Sequence, residues 1–336
     1  MKQLHLWVIT LTLISCSPAK TTLNLDEVFG GNFEHKMISS GNNFPDFHVR
    51  KDSLDLFLVA INQGVDTKRF QEKAGWSNQK LNQNITFLKT KNWLIKKDDL
   101  LPTIFIATET QGKSLFEYAM PIALEISNVI QENLYNLKKL YNTTDVSKMY
   151  SFNDFSFLIL SNVLLDNWQI NNVEEEFLMA KERPERHGKH YYYALMENTT
   201  YPKEGFGIYG NQYKRLNDSI TLGIYGNNRN VVFKKLKDPI FLNSIINEAP
   251  KLSRLDYEKM GSLANYFKPN LLKILTKNEK YIKTVFKKTG YGKSISFNEF
   301  FIWWYHFIYT SATNMLNDSE VLTLPDDGNF YYCFKH

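Results

Sequence analysis

The sequence predicts an α+β fold in which a helical N-terminal region precedes an antiparallel sheet with its helices segregated from it. Three observations carry this expectation. Apolar side chains recur at helical spacing through most of the chain up to residue 145. Short aromatic and β-branched runs between residues 173 and 236 alternate with Gly, Asn and Pro. The C-terminal part then returns to helical spacing before one closing strand-like run, Phe330 to Phe334.

Residues 1–15 begin with Lys2 and continue as an apolar stretch from Leu6 to Ile14, interrupted only by Thr10 and Thr12. That is too short for a permanent membrane helix, which needs about 20 apolar residues, and has the layout of a secretory signal. It ends on Leu13-Ile14-Ser15-Cys16, which resembles the lipobox of bacterial lipoproteins. The resemblance implies cleavage before Cys16, a diacylglycerol on its thiol and a further acyl chain on the new amino terminus. Two or three acyl chains, at about 0.8 kcal/mol per buried methylene, make a lasting membrane anchor. Ser17 is not the Asp that resembles an inner-membrane retention signal, and Ser17–Thr22 contains no acidic cluster. The expected location is therefore the outer membrane, facing the periplasm.

Residues 16–51, with Gly30-Gly31, Ser39 to Asn43 and Pro45, read as a lipidated tether and an irregular lead-in. From residue 52 the helical pattern is clear. Leu54, Phe57, Leu58 and Ile61 share a face up to Gly64; Asp66 caps a helix carrying Phe70 and Ala74; Gly75 turns the chain; Ser77 caps a helix with Leu81, Ile85 and Leu88. Trp93-Leu94-Ile95 and Pro102 to Ile106 read as two strands. This element order resembles a winged helix-turn-helix domain over residues 52–110. A long helix from Lys113 to Tyr141, with Pro121 as a kink, completes a region bounded at 52–145. The helix beginning at Asn78 carries Gln79, Lys80, Asn82 and Gln83, types that read base edges. An exported domain does not meet the chromosome, so no nucleic-acid partner is expected and the unit reads as a scaffold.

Residues 146–336 form the expected α+β domain. A helix spans Phe155 to Trp168; strands are expected at Phe177 to Met179, Tyr191 to Leu195, Ile220 to Tyr225 and Val231 to Phe233. Helices follow at Ile240 to Ile246, Tyr257 to Tyr266, Leu271 to Lys287 and Phe297 to Leu316.

At 43% hydrophobic and 15% aromatic residues, the chain can build a real core. A net charge of +5, spread along the sequence, is too mild to argue for a polyanion partner. Of the two cysteines, the lipid takes Cys16, which leaves Cys333 without an intramolecular partner in an aromatic run that suits a packed small hydrophobe.

Two stretches could carry a site. Gly207-Ile208-Tyr209-Gly210-Asn211 recurs as Gly223-Ile224-Tyr225-Gly226-Asn227. The pair reads first as two strand ends with matching turns. Its functional reading is a polar, aromatic concavity of Tyr209, Asn211, Tyr225, Asn227 and Arg229, with His187 near its rim, suited to a sugar or peptide. Upstream, Arg183, Arg186, His187 and His190 stand in the densest ionisable stretch, Glu182 to Tyr191. The two histidines are three apart, but Pro184 and Gly188 make this a turn and no third ligand is visible, so no metal is expected. Gly290 to Ser294 fails as a phosphate loop because Lys287 stands where Gly is needed, and no cofactor is expected. Neither a Gly-x-Ser-x-Gly elbow nor His-Glu-x-x-His occurs. The resulting expectation is a membrane-anchored envelope lipoprotein that binds an envelope protein, peptide or glycan. The alternative is an envelope hydrolase centred on Arg183 to Glu197.

Overall fold

The computed structural model describes residues 23–335. Cys16 and the signal-like segment lie outside the described residues. The first described elements correct the expectation of an irregular lead-in over residues 16–51. Helix α1 (Leu25–Gly30) starts with a capping box between Asn24 and Glu27, and strand β1 (Phe33–Ile38) follows.

Helices α2 (Leu54–Asn62), α3 (Thr67–Ala74) and α4 (Asn78–Thr90) follow the caps written in the sequence. Asp66 accepts from the backbone of Lys68 and Arg69, Gly75 takes a left-handed φ of 65°, and Ser77 accepts from Lys80. Strands β2 (Leu94–Lys96) and β3 (Leu100–Pro102) form an antiparallel ribbon. The run expected to continue from Pro102 to Ile106 breaks after β3, and β4 (Phe105–Ala107) joins a different sheet. Helix α5 (Glu109–Tyr141) carries Pro121 within it.

Helix α6 (Phe152–Phe157) runs into a π-helical turn over Leu158–Val163, and the single turn α7 (Ile170–Asn172) runs into another over Val173–Phe177. The expected strand at Phe177 to Met179 is therefore absent. Strands β5 (Tyr192–Glu197), β6 (Gly210–Arg215) and β7 (Ile220–Gly226) come next. Val231 to Phe233, read as a strand, lies instead in helix α8 (Arg229–Lys235), since a three-residue apolar run does not distinguish the two. Helix α9 (Pro239–Glu248), strand β8 (Lys251–Leu252) and helices α10 (Arg254–Lys277), α11 (Glu279–Thr289) and α12 (Phe297–Asp318) precede the last strand, β9 (Asn329–Lys335). Helix α10 passes through Pro269, and the break falls at Asn278 rather than between Tyr266 and Leu271.

The fold is α+β, but its larger sheets are mixed rather than antiparallel. One runs in the order β1-β5-β4, with β4 parallel to β5; the other runs β6-β7-β9-β8, with β8 parallel to β9. Strand β5 thus pairs on both sides with strands from before the boundary expected at residue 145. The main core gathers along α12, whose residues Glu299 to Thr313 are all buried. A helix buried on every side can afford apolar side chains all round. It packs along α5, where Trp304 Nε1 donates to the Leu115 carbonyl at 2.9 Å, while the Tyr305 hydroxyl donates to the Leu165 carbonyl at 2.7 Å. Cys333 is buried in β9. Among the described residues, no helix is long and apolar enough to cross a membrane.

Candidate functional site

A cleft of about 560 Å³ is lined by β1, the chain around Asp166 to Asn171, Arg183, β6, the start of α8 and one face of α12. Its polar side chains come from distant parts of the sequence, and each is held by a local feature.

The π-helical turn at 158–163 places Asn162 fully inside the protein, and Asp166 follows one turn later with its backbone N–H on the Asn162 carbonyl at 3.1 Å. Strand β6 brings Asn211 to the same spot. The two amides exchange hydrogen bonds, Asn162 Nδ2 to Asn211 Oδ1 at 2.9 Å and Asn211 Nδ2 to Asn162 Oδ1 at 3.0 Å; Asn211 Nδ2 also donates to Asp166 Oδ2 at 2.9 Å. Burial pushes the Asp166 carboxyl up to about 7; Arg229, Tyr309 and Asn211 pull it down and offset only part of that.

A second network centres on Glu204. Arg229 donates to it from Nε at 3.0 Å and from Nη2 at 2.5 Å, and Lys36 Nζ stands 2.5 Å away. Lys36 also pairs with Glu34 at 3.2 Å. Burial alone would raise the Glu204 carboxyl, but Arg229 and Lys36 outweigh it and hold the group at about 2. The third nitrogen of Arg229, Nη1, donates to the Asn211 carbonyl at 2.9 Å and so links the two networks.

Helix α12 contributes Trp303 and His306. His306 donates from Nδ1 to the Ile302 carbonyl at 2.8 Å, since a carbonyl can only accept. Burial holds its imidazole down at about 4, against that hydrogen bond and with the help of the nearby Arg229 and Lys36 charges, so it is neutral near pH 7 and Nε2 is an acceptor. Trp303 is almost fully buried, and its Nε1–H has no partner among the described residues.

The residues expected from sequence divide between this cleft and other places. Tyr209, Asn211, Arg229 and Arg183 line it. Tyr225 does not; it is fully buried, with its hydroxyl 2.5 Å from Ser161 Oγ. Asn227 is also buried and donates to the Gly207 carbonyl at 3.1 Å. The reason is the register of the repeat. Its two copies run antiparallel, with Gly210 opposite Gly226 and Asn211 opposite Tyr225, so the second Asn is carried away from the first.

The stretch around residues 182–191 does not converge. Arg183 makes a bidentate pair with Glu174, at 2.9 and 2.8 Å. Arg186 is buried against Glu299, at 2.7 and 2.8 Å, and also donates to the Tyr191 and Thr103 carbonyls. His187 is half exposed beside Lys91 and Asp46 and does not reach the cleft rim. His190 Nδ1 donates to the Arg183 carbonyl at 3.1 Å, and Glu197 accepts from the Glu109 N–H at the start of α5. Among the described residues, no group of three His, Cys, Asp or Glu side chains could hold a metal ion.

Lys36, Asp166, Glu204, Trp303 and His306 were not singled out by sequence reasoning. Asp166 and His306 each left a signal, an acid in the apolar run Phe155 to Trp168 and an imidazole in the apolar run Phe300 to Tyr309, where a buried ionisable group needs a reason. No protein-family model, curated protein or solved structure matches the chain.

Proposed function

We propose that this chain is an exported, lipid-anchored envelope protein that binds a short glycan in the cleft between β1, β6 and α12. One observation carries the binding part: a polar cleft whose donors and acceptors are buried and pre-positioned by two linked networks, around Asp166 and around Glu204. The amide groups, the neutral imidazole of His306 and the Asp166 carboxyl, whose acidity is weakened to about 7, suit a hydroxyl-rich ligand, and Tyr213, partly exposed at the cleft, offers a ring face. The anchoring part rests on Leu13-Ile14-Ser15-Cys16, with the lipid on Cys16 as the membrane attachment.

Helices α2 to α4 with the β2–β3 ribbon we read as a winged-helix-like scaffold rather than a reader of nucleic acid. The N-terminal part of the polar face of α4 is engaged within the protein: Lys80 pairs with Asp52 at 2.6 Å, and Asn78 accepts from Gln71 at 2.8 Å.

A hydrolase has one specific observation in its favour, two carboxyls in one cleft with oppositely shifted acidities, Asp166 and Glu204. Both oxygens of Glu204 are already occupied by Arg229 and Lys36, which takes this carboxylate out of use as a base, so binding is the better reading. The test is calorimetric titration of the full chain with defined envelope glycans, together with product analysis. Saturable binding without turnover is expected, with Tyr213→Ala, which removes the exposed ring at the cleft, weakening it at a little-changed thermal midpoint. Turnover would make the protein an enzyme, and the absence of any binding would remove the glycan reading.

A further inference from the structure

Four aromatic rings join into one strip that solvent reaches. Tyr213 is 42% exposed and Tyr257 is 43% exposed, while Phe334 and Trp168 are half-buried. Ring centroids follow one another at 6.0 Å from Tyr213 to Phe334, 5.8 Å from Phe334 to Tyr257 and 5.2 Å from Tyr257 to Trp168. The planes of Phe334, Tyr257 and Trp168 differ by 32° and 46° at successive steps, whereas Tyr213 stands at 90° to Phe334 as an upright edge. Exposed apolar side chains are ordinary when scattered singly, but a contiguous run of them marks a binding surface.

Local structure ties this strip to the cleft. Asn211 and Tyr213 are two apart on β6 and share a face of the sheet. Across β7, Tyr213 lies opposite Gly223, and Gly223 lies opposite Tyr332. A Cβ on Gly223 would stand 2.5 Å from the Tyr332 ring, so the glycine lets Tyr332 reach over until its hydroxyl is 3.5 Å from that of Tyr213. Phe334 follows two residues later on the same face. Tyr257 comes from the start of α10, next to Asp256, which turns inward and accepts from the Val146 N–H at 3.0 Å. Trp168 directly follows Asn167, and Asn167 and Tyr213 both line the cleft.

Chemistry selects the occupant. The C–H face of a sugar ring can lie on an aromatic face while its hydroxyls stay in water, which a half-exposed strip allows. A lipid tail on the same strip would leave much of its own surface wet. Three centroid steps also make a surface longer than one sugar ring.

We infer that the glycan is the end of a longer linear chain, with the cleft taking the end and the next sugars stacking on Tyr257 and Trp168. This rests on the glycan reading above and extends it from a short unit to a polymer.

The test is calorimetric titration of the full chain with the dimer and the hexamer of two β-1,4-linked series, glucose and N-acetylglucosamine. In the series that binds, the hexamer is expected to bind about thirtyfold more tightly than the dimer, beyond the statistical advantage of a longer chain. Tyr257→Leu, which keeps apolar bulk without the ring, should remove most of that gain and leave dimer affinity unchanged, whereas Tyr257→Phe should keep the gain. The thermal midpoint of each variant is measured alongside. Equal binding of dimer and hexamer would overturn this inference and leave the glycan reading standing, as would a gain unchanged in Tyr257→Leu. A dimer of the protein in sedimentation that Tyr257→Leu abolishes would make the strip a contact between copies and overturn the inference as well. No binding of any oligomer would overturn both readings.

Discussion

Gly210 lies against the guanidinium of Arg229, so closely that a Cβ at position 210 would stand 2.7 Å from Nη1 and 3.1 Å from Cζ. The missing side chain lets Arg229 reach both Glu204 and the Asn211 carbonyl. Gly210→Ala is therefore expected to displace the arginine and to destabilise the protein by about 1–3 kcal/mol, as overpacking does. Denaturant unfolding checks this, together with a loss of glycan affinity. An unchanged stability and affinity would mean that Arg229 has another way to seat itself.

Arg186 and Glu299 tie the turn before β5 to α12 from positions with almost no solvent access. Removing one partner strands the other, so Arg186→Ala should cost about 3–5 kcal/mol, whereas Arg186→Met with Glu299→Leu should cost far less. Neither change should alter glycan affinity beyond its effect on folding. A large affinity loss in the stable double variant would contradict the structural role.

Above about pH 4.5, where Glu204 is already ionised, the stability of the protein should depend on pH through two cleft residues that act in opposite directions. Asp166 sits at about 7 against a usual 3.8, so its neutral form stabilises the fold below about 3.8, and that contribution is lost as pH rises through about 7. His306 sits at about 4 against 6.5, so its contribution is present above 6.5 and is lost as pH falls through about 4. Between these limits the two slopes oppose each other. Asp166→Asn should uncover the histidine slope, with stability rising from about pH 4 to about 6.5. A profile for the variant that parallels the parent protein would show that Asp166 ionises as an ordinary surface Asp.

Cys16→Ser is expected to move the protein from the membrane to the soluble exported fraction, because the proposed lipid is the membrane attachment. Fractionation reads the outcome directly. Continued tight association would point to an attachment other than the lipid, most simply one made by apolar side chains on the folded surface.

Much of the helical framework was legible because it depends on local pattern. The stripe from Leu115 to Leu137 marks α5, and the Asp66, Gly75 and Ser77 signals mark the limits of α3 and α4. The candidate site was legible only in part, through Arg183, Tyr209, Asn211 and Arg229. Its remaining charges arrive by non-local pairing. Lys36 lies in Phe33-Glu34-His35-Lys36-Met37-Ile38, which lacks alternation and becomes a strand because it pairs with β5. Glu204 sits in a polar loop and gains its importance from Arg229 and Lys36, neither of which is near it in sequence. The repeat suggested two equivalent Asn residues, but only antiparallel register decides that Asn211 faces the cleft while Asn227 secures a turn.

The place of β5 in its sheet also has a kinetic meaning. It pairs Glu197 with Phe33 on one side and Ala194 with Phe105 on the other, so both neighbours emerge from the ribosome long before the strand that joins them. Until then β1 and β4 wait with unpaired edges, and closing those long loops must precede the reward of the ladder hydrogen bonds. The chain is thereby kept from finishing its centre early. A slow step that ends with β5 docking would leave a nascent chain open for longer, which is what the proposed export would require.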